Sequence, residues 1–468
     1  MRRATKKEMW IFAIGQLGWS ILAGIIGNLL VNFYLPDSTG NGIITFVIPT
    51  AVFLGLTVIG IITAVGRVVD AVTDPWIGSL SDRCTHRLGK RIPFLRYSAL
   101  PFALVTVLIF CCPVRGESAW NIVWLVGTLI TFYIAMTAYC TPFNALIPVI
   151  GKNQEDRMNV STYISLTYII GTGIAFSGKM VWEALYNATG MDYYLSARLV
   201  LAVYAVIALA CMLLPAFLIK EKELDDTPPV KESAFKSLGK TFKNKDFRIF
   251  VLSDILYWIG ITIFNTGFIY YVENLLHLDL YMVLFVFMTL ITFGCYPVVN
   301  ILTRKVGKKK MVLIGFIIFA FAFLVSAFAG KITFIPNIVY GFIICVLVGV
   351  PLAILGVIPQ AIVADIAEAD CVTTGENHDG MFYAARTFAF KLGQSVAMIL
   401  FTSFAVIGQY TDELGNLANN GIGYRISLIA ALVLCILACL VLLRYNEKKT
   451  MEIIGAKEEP TESNEEHE

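Results

Sequence analysis

The run Leu199-Val-Leu-Ala-Val-Tyr-Ala-Val-Ile-Ala-Leu-Ala-Cys-Met-Leu-Leu-Pro-Ala-Phe-Leu-Ile219 contains no charged residue, and the stretch after it, Lys220 to Arg248, is predominantly polar. About twenty consecutive apolar residues span the ~30 Å of bilayer hydrocarbon as an α-helix. The first segment therefore predicts a transmembrane helix, and the second a loop that separates two groups of helices. Outward from this boundary, apolar spans recur near 9–35, 53–81, 94–113, 120–149, 161–186 and 194–219 on one side, and near 249–272, 280–303, 310–329, 333–364, 380–408 and 424–443 on the other. Lipid offers the backbone no hydrogen bonds, so continuous spans of this length cross it as helices. The expected fold is an all-α membrane protein of twelve transmembrane helices in two bundles of six. Residues 1–219 form the N-terminal bundle, 220–248 a central loop, 249–443 the C-terminal bundle and 444–468 an acidic tail. Composition agrees, since 57% apolar and 15% charged residues over 468 positions, with a mean hydropathy of +0.73, exclude a water-soluble multidomain protein.

Lys and Arg give the orientation. Most of the 36 fall in loops on one side of the twelve-helix scheme, including Arg83, Arg87, Lys90 and Arg91 after the second helix and Arg304 to Lys310 after the eighth. By the positive-inside rule both termini and the central loop are cytoplasmic, in a multi-pass protein of the plasma (inner) membrane. The stretch from Met9 to Pro36 lacks a small-residue cleavage pattern and is read as a retained first helix rather than a signal peptide. The net charge of +2 and the scatter of basic residues give no nucleic-acid-binding stripe. Most of the ten cysteines lie in apolar spans, with no disulfide framework or zinc spacing.

The turn Gly78-Ser-Leu-Ser-Asp82-Arg83, with Lys90 and Arg91, has a weaker echo in Asn300-Ile-Leu-Thr-Arg304, with Gly307 and Lys308. Two pseudo-symmetric halves, each with a basic turn after its second helix, resemble the major facilitator architecture, in which solute binds between halves near the midplane.

Charges inside a membrane span cost about 2.5–3.5 kcal/mol each on insertion scales and call for a reason. Arg67, Asp70 and Asp74 occupy one face of the second helix at i, i+3 and i+7. Two carboxylates one turn apart need positive charge nearby. Arg67 supplies one charge; a bound Na⁺ or H⁺ supplies another, or the three residues form a purely structural cluster. Lys391, deep in the eleventh span, needs a carboxylate from another helix, for which Asp70 and Asp74 are candidates. Arg386 is read as snorkelling to the rim, Asp254 as interfacial, Asp365, Glu368 and Asp370 as an acidic turn facing the basic loops, and Lys179 with Glu183 as a rim salt bridge.

The run Arg67-Val-Val-Asp70-Ala-Val-Thr-Asp74-Pro75, continuing through Gly78 to Leu88-Gly89-Lys90, resembles the signature of the glycoside-pentoside-hexuronide:cation symporters, the family of the melibiose carrier. Gly15-Gln-Leu-Gly18, Pro142-Phe143 with Leu146 and Pro148, and Tyr383 with Lys391 and Gly393 also fit. The resemblance implies a cation held by Asp70, Thr73, Asp74 and Thr137, with Thr73 replacing an amide, and charge balance from Arg67 and Lys391. The sugar-gripping positions of the melibiose carrier fall on Ser20, Cys140, Asn144 and Ser165, so the carboxylates suited to a galactosyl ring are absent. Trp19, Tyr139, Tyr163 and Tyr383 are either stacking platforms or packing residues.

The expected function is Na⁺- or H⁺-coupled symport of a small organic solute, a glycoside or other sugar, by alternating access. The alternatives are a lysophospholipid or other amphiphile symporter and, more remotely, a membrane enzyme. His86, His277, His378 and His467 provide no ligand pair and no Ser-His-Asp set, and no Walker A loop occurs. No cofactor is expected beyond the coupling ion. The expected partners are the solute and membrane lipid, with the chain acting as a monomer.

Overall fold

A computed structural model of the chain describes residues 3–35, 47–48, 52–53, 56–114, 116–151, 154–224, 241–332, 334–374, 379–411 and 417–455. Most of the central loop and residues 456–468 of the tail lie outside the described residues. Among the described residues there are twelve long helices: α1 Lys6–Tyr34, α2 Val58–Asp82, α3 Ile92–Ile109, α4 Ala119–Ala145, α5 Gln154–Thr189, α6 Tyr193–Leu218, α7 Lys245–Tyr270, α8 Tyr281–Val306, α9 Lys308–Ala327, α10 Asn337–Thr374, α11 Asp379–Ala405 and α12 Ile422–Leu442. Eleven are long and apolar enough to cross a membrane by composition alone. The remaining one is α2, whose apolar stretch is interrupted by Arg67, Asp70 and Asp74.

Two short antiparallel ribbons accompany the helices. One pairs Val52–Phe53 with Leu56–Thr57, the other Gln409–Thr411 with Leu417–Asn419. The first delivers the chain to Thr57, whose hydroxyl caps α2 by accepting from the Gly60 amide at 3.2 Å. The acidic turn expected around Asp365 is instead the last part of α10, which continues to Thr374. Ala364, Ala367 and Ala369 carry strong helix propensity past the apolar span, so the helix does not stop where the hydrophobicity does.

The chain forms two compact units. The first comprises Met1–Glu232 together with Asn265–Tyr270 and Ser395–Tyr424; the second comprises Ser233–Phe264, Tyr271–Gln394 and Arg425–Glu468. In the first unit, the Val58 end of α2 packs against the end of α11, where a Cβ on Gly60 would lie 2.1 Å from Thr402 Oγ1. Nearby, the Tyr270 hydroxyl donates to the Leu35 carbonyl at 2.9 Å.

The same closure occurs once in each unit. In the first, Gly89 turns the chain at φ +119°. The amides of Arg91 and Ile92, which open α3, then donate to Glu221 Oε2 at 2.8 and 3.0 Å. In the second unit Gly307 turns at φ +93°. There the amides of Lys308 and Lys309, which open α9, donate to Glu447 at 2.8 and 3.2 Å. Only glycine adopts these positive φ values cheaply, and a carboxylate at a helix N-terminus satisfies orphan amides while complementing the helix dipole. Each glutamate comes from the short helix that follows the sixth long helix of the series, Glu221–Leu224 or Glu447–Gly455.

Because Glu221 is 1% exposed, Glu221→Ala strands buried donors and should cost about 1–3 kcal/mol. Glu447→Ala acts at a half-buried cap and should cost about 0.5–2 kcal/mol. Thermal unfolding of both variants in detergent should place them in that order.

Candidate functional site

The signature face of α2 lies against α4, and both helices run in the same direction. Gly66 permits the approach, since a Cβ there would lie 2.5 Å from the Tyr133 ring. One residue on, the Arg67 guanidinium lies over that ring, 5.5 Å from its centroid. One turn further the Thr137 hydroxyl donates to Asp70 Oδ1 at 3.0 Å. One more turn brings the Thr141 hydroxyl to Asp74 Oδ1 at 2.9 Å. The partners sit 67 residues apart in both hydrogen bonds, so two i, i+4 pairs on neighbouring helices mesh as parallel rungs.

The first rung is dry. Asp70 and Thr137 are each 1% exposed and Thr73 is 8% exposed. The Thr73 hydroxyl lies 3.2 Å from both the Thr137 hydroxyl and the Asp70 carbonyl. Three of the four expected cation ligands therefore converge on one spot, and all their donor atoms are oxygens, which suits a hard cation such as Na⁺. Asp74 stands at the second rung with Thr141, both half-buried. Sequence reading missed Thr141. Its signal was present in the spacing, because Thr137 and Thr141 repeat on α4 the one-turn interval of Asp70 and Asp74. Arg67 makes its contact with Tyr133.

The residues aligned with the sugar site are scattered in role. Ser20, buried on α1, donates to the Leu17 carbonyl at 2.9 Å and is packed tightly against Gly171 of α5. Tyr139 is fully buried, donates to the Met212 carbonyl at 2.9 Å and stacks on Phe143. Gly15 of the α1 motif packs beside that ring pair and Pro215. Ser165 is exposed on α5 and donates to Ser161. Cys140 is half-buried, and Asn144 is exposed one turn beyond it on α4. Tyr163 stacks on Trp10 with centroids 4.2 Å apart, and Trp19 tilts against Tyr168 at 6.1 Å. Tyr383 belongs to the second unit, where its hydroxyl donates to the Gln360 carbonyl at 3.3 Å.

The family model described as MFS/sugar transport protein matches residues 11–447. The chain belongs to this family. It is thus a glycoside-pentoside-hexuronide-type member of the major facilitator superfamily, a transporter and not an enzyme. The uncharacterized symporter YnaJ of Bacillus subtilis is 23% identical over 413 residues, 87% of this chain and 83% of that protein. The isoprimeverose transporter of Lactiplantibacillus pentosus is 22% identical over 340 residues, 72% of this chain and 67% of that protein. Among solved structures, a D-xylose-proton symporter superposes with a TM-score of 0.64 at 14% identity, over 94% of this chain and 98% of that one. This match establishes the major facilitator fold.

In the second unit of this transporter, Arg386 and Asp254 are placed differently from their sequence reading. The Arg386 side chain turns inward to Asp254. The guanidinium donates Nε to Asp254 Oδ2 at 2.8 Å and Nη2 to Oδ1 at 3.1 Å, a two-pronged pair with both side chains buried. The helical rotation that turns Arg386 toward α7 is not encoded in its depth along α11. Next to it, Phe390 stacks on Trp258 of α7 at 4.7 Å, and Lys391 follows, half-buried. Lys308 pairs with Asp365 at 2.6 Å, as expected for a basic turn facing acidic residues. In the first unit, Lys179 and Glu183 approach to 3.9 Å as the i, i+4 pair read from the sequence.

Breaking a buried pair by removing one partner costs far more than removing both. Asp254→Asn or Arg386→Gln alone should lower stability by about 3–5 kcal/mol. The double variant Asp254→Leu/Arg386→Met should recover most of that loss in thermal unfolding.

Proposed function

We propose that this family member is a cation-coupled sugar or glycoside symporter, using Na⁺ or H⁺ and operating by alternating access. The observation that carries the reading is the meeting of Asp70, Thr73 and Thr137 in a dry cluster of oxygens within an apolar span. A cation seated there neutralises a carboxylate that is otherwise costly to keep ionised in low dielectric. Arg67 and Lys391 contribute fixed positive charge that balances the aspartates when no cation is bound. The sugar assignment is supported by the isoprimeverose transporter's likeness to this chain. Cys140 and Asn144 are candidates for solute contact, because they lie on α4 beside the rungs and Asn144 is exposed.

The energetics suffice. One cation moving down ~100 mV releases ~2.3 kcal/mol, and a tenfold concentration gradient adds ~1.4 kcal/mol. Together these sustain roughly 500-fold accumulation of a neutral solute.

In proteoliposomes supplied with a panel of glycosides, Asp70→Asn and Asp74→Asn should each reduce cation-driven accumulation at least tenfold. Solute affinity should weaken only by the coupling free energy, about 1–3 kcal/mol. Both variants should fold, since one of two like charges has been removed. Unchanged accumulation with unchanged cation dependence would show the aspartates to be structural.

A further inference from the structure

The turn between α8 and α9 carries more positive charge than its packing uses. Of its basic residues, Lys308 is taken by Asp365, and Lys309 by the Leu443 and Tyr445 carbonyls. Arg304, Lys305 and Lys310 are exposed instead. Lys310 also begins a stripe along α9, followed at i+4, i+7, i+11 and i+14 by Ile314, Ile317, Phe321 and Leu324, all exposed within a span long and apolar enough to cross a membrane. One charge thus stands at the end of a ridge that faces hydrocarbon. Beside this ridge α9 and α10 meet closely at Gly315, where a Cβ would lie 3.1 Å from Ile354 Cγ2. Further from the lysines the two helices part, leaving a groove of ≈ 420 Å³ lined by Ile317, Ile318, Phe321, Val346, Leu347 and Val350.

We propose that this face binds an anionic phospholipid, with the headgroup phosphate at Lys310 and one acyl chain in the groove between α9 and α10. Arg304 and Lys305, six and five residues earlier across the Gly307 turn, add to the positive charge that attracts the headgroup. The inference is independent of the symport reading. Length decides between a lipid and a soluble anion. Ile317 and Phe321 lie seven and eleven residues along α9 from Lys310, about 10–16 Å at ~1.5 Å per residue. The chains of one leaflet reach through half of the ~30 Å hydrocarbon layer, about 15 Å. The groove therefore lies where the far part of a chain anchored at Lys310 runs, and the lysine stem lets the ammonium reach out to the headgroup. A free phosphate would use the charges alone, and a neutral lipid the groove alone.

The experiment uses the full-length protein purified in detergent. Native mass spectrometry counts the lipids retained when phosphatidylglycerol and phosphatidylcholine with matched chains are offered together at equal concentration. The wild type should favour phosphatidylglycerol roughly tenfold or more, since three charges act together. Lys310→Gln should lower phosphatidylglycerol affinity about fivefold, the equivalent of ~1 kcal/mol for one charge. The triple variant Arg304→Gln/Lys305→Gln/Lys310→Gln should lose the preference. Val346→Trp, which fills the groove and alters no charge, should weaken retention of both lipids. Glycerol phosphate, with the same phosphate chemistry and no chains, should not compete. Arg87→Gln, at the matching turn of the first unit, should leave the most tightly held lipid unchanged.

Equal retention of the two lipids by the wild type, undiminished phosphatidylglycerol binding in the triple variant, or competition by glycerol phosphate would each overturn the proposal. A dimer that Val346→Trp dissolves while lipid retention persists would assign the groove to a second copy of the chain instead. If the tryptophan variant does not fold, the charge variants decide, because all three positions are exposed.

Discussion

A carboxylate inside an apolar helix must be given hydrogen bonds by a neighbour, and that requirement sets how α2 meets α4. Asp70 and Asp74 are one turn apart, so their donors must be too, and Thr137 and Thr141 provide them from a helix running in the same direction. Sliding α4 by one residue would rotate both hydroxyls off the shared face by ~100° and leave one buried and one half-buried carboxylate without those donors. The register of the pair is fixed by polar chemistry, while the closeness is fixed by Gly66 against Tyr133. The second unit meets the same constraint differently, by facing Asp254 with a guanidinium. The hydroxyl leaves oxygen lone pairs free for a cation, whereas the guanidinium cancels the charge outright. One arrangement is suited to a transient ligand and the other to permanent helix attachment.

Much of the fold was legible because hydrocarbon thickness enforces span length, and charge asymmetry enforces alternation. The helix ends were less so. Apolar patterning stops at the edge of the lipid, but α10 runs on to Thr374 through alanine-rich sequence, and the ribbon at Val52–Phe53 and Leu56–Thr57 lies in a stretch that reads as apolar span. Of the site, the Arg67, Asp70 and Asp74 face could be read from helical periodicity, which is a property of one helix. The pairings of Thr141 with Asp74 and Arg386 with Asp254 depend on the rotation of two helices relative to each other. Periodicity on α4 contained the hint, since a threonine pair matched the aspartate pair. No comparable interval links Arg386 to Asp254.

The resemblance motifs also divide by cause. Gly15 and Phe143 are explained by packing, one close to Pro215 and the other stacked on Phe12 at 4.1 Å. Asp70, Thr73 and Thr137 are not explained by packing, because apolar side chains of similar shape would fill the same space without the cost of burying polar groups. A motif in a membrane helix therefore mixes residues kept for contact with residues kept for chemistry, and desolvation cost distinguishes them.

The closures by Glu221 and Glu447 bear on how such a chain can evolve. Each draws its glycine turn, its third helix and its glutamate from one run of six helices, with nothing borrowed across the central connection. The sequence echo between the two basic turns has faded, yet the bond pattern at the two turns remains parallel, as expected if an ancestral six-helix gene already carried a complete latch before it was duplicated. The glutamate also anchors the chain where each run ends. Whatever sequence follows Leu224 starts from a fixed point, so insertions and deletions there can accumulate without disturbing the helices on either side.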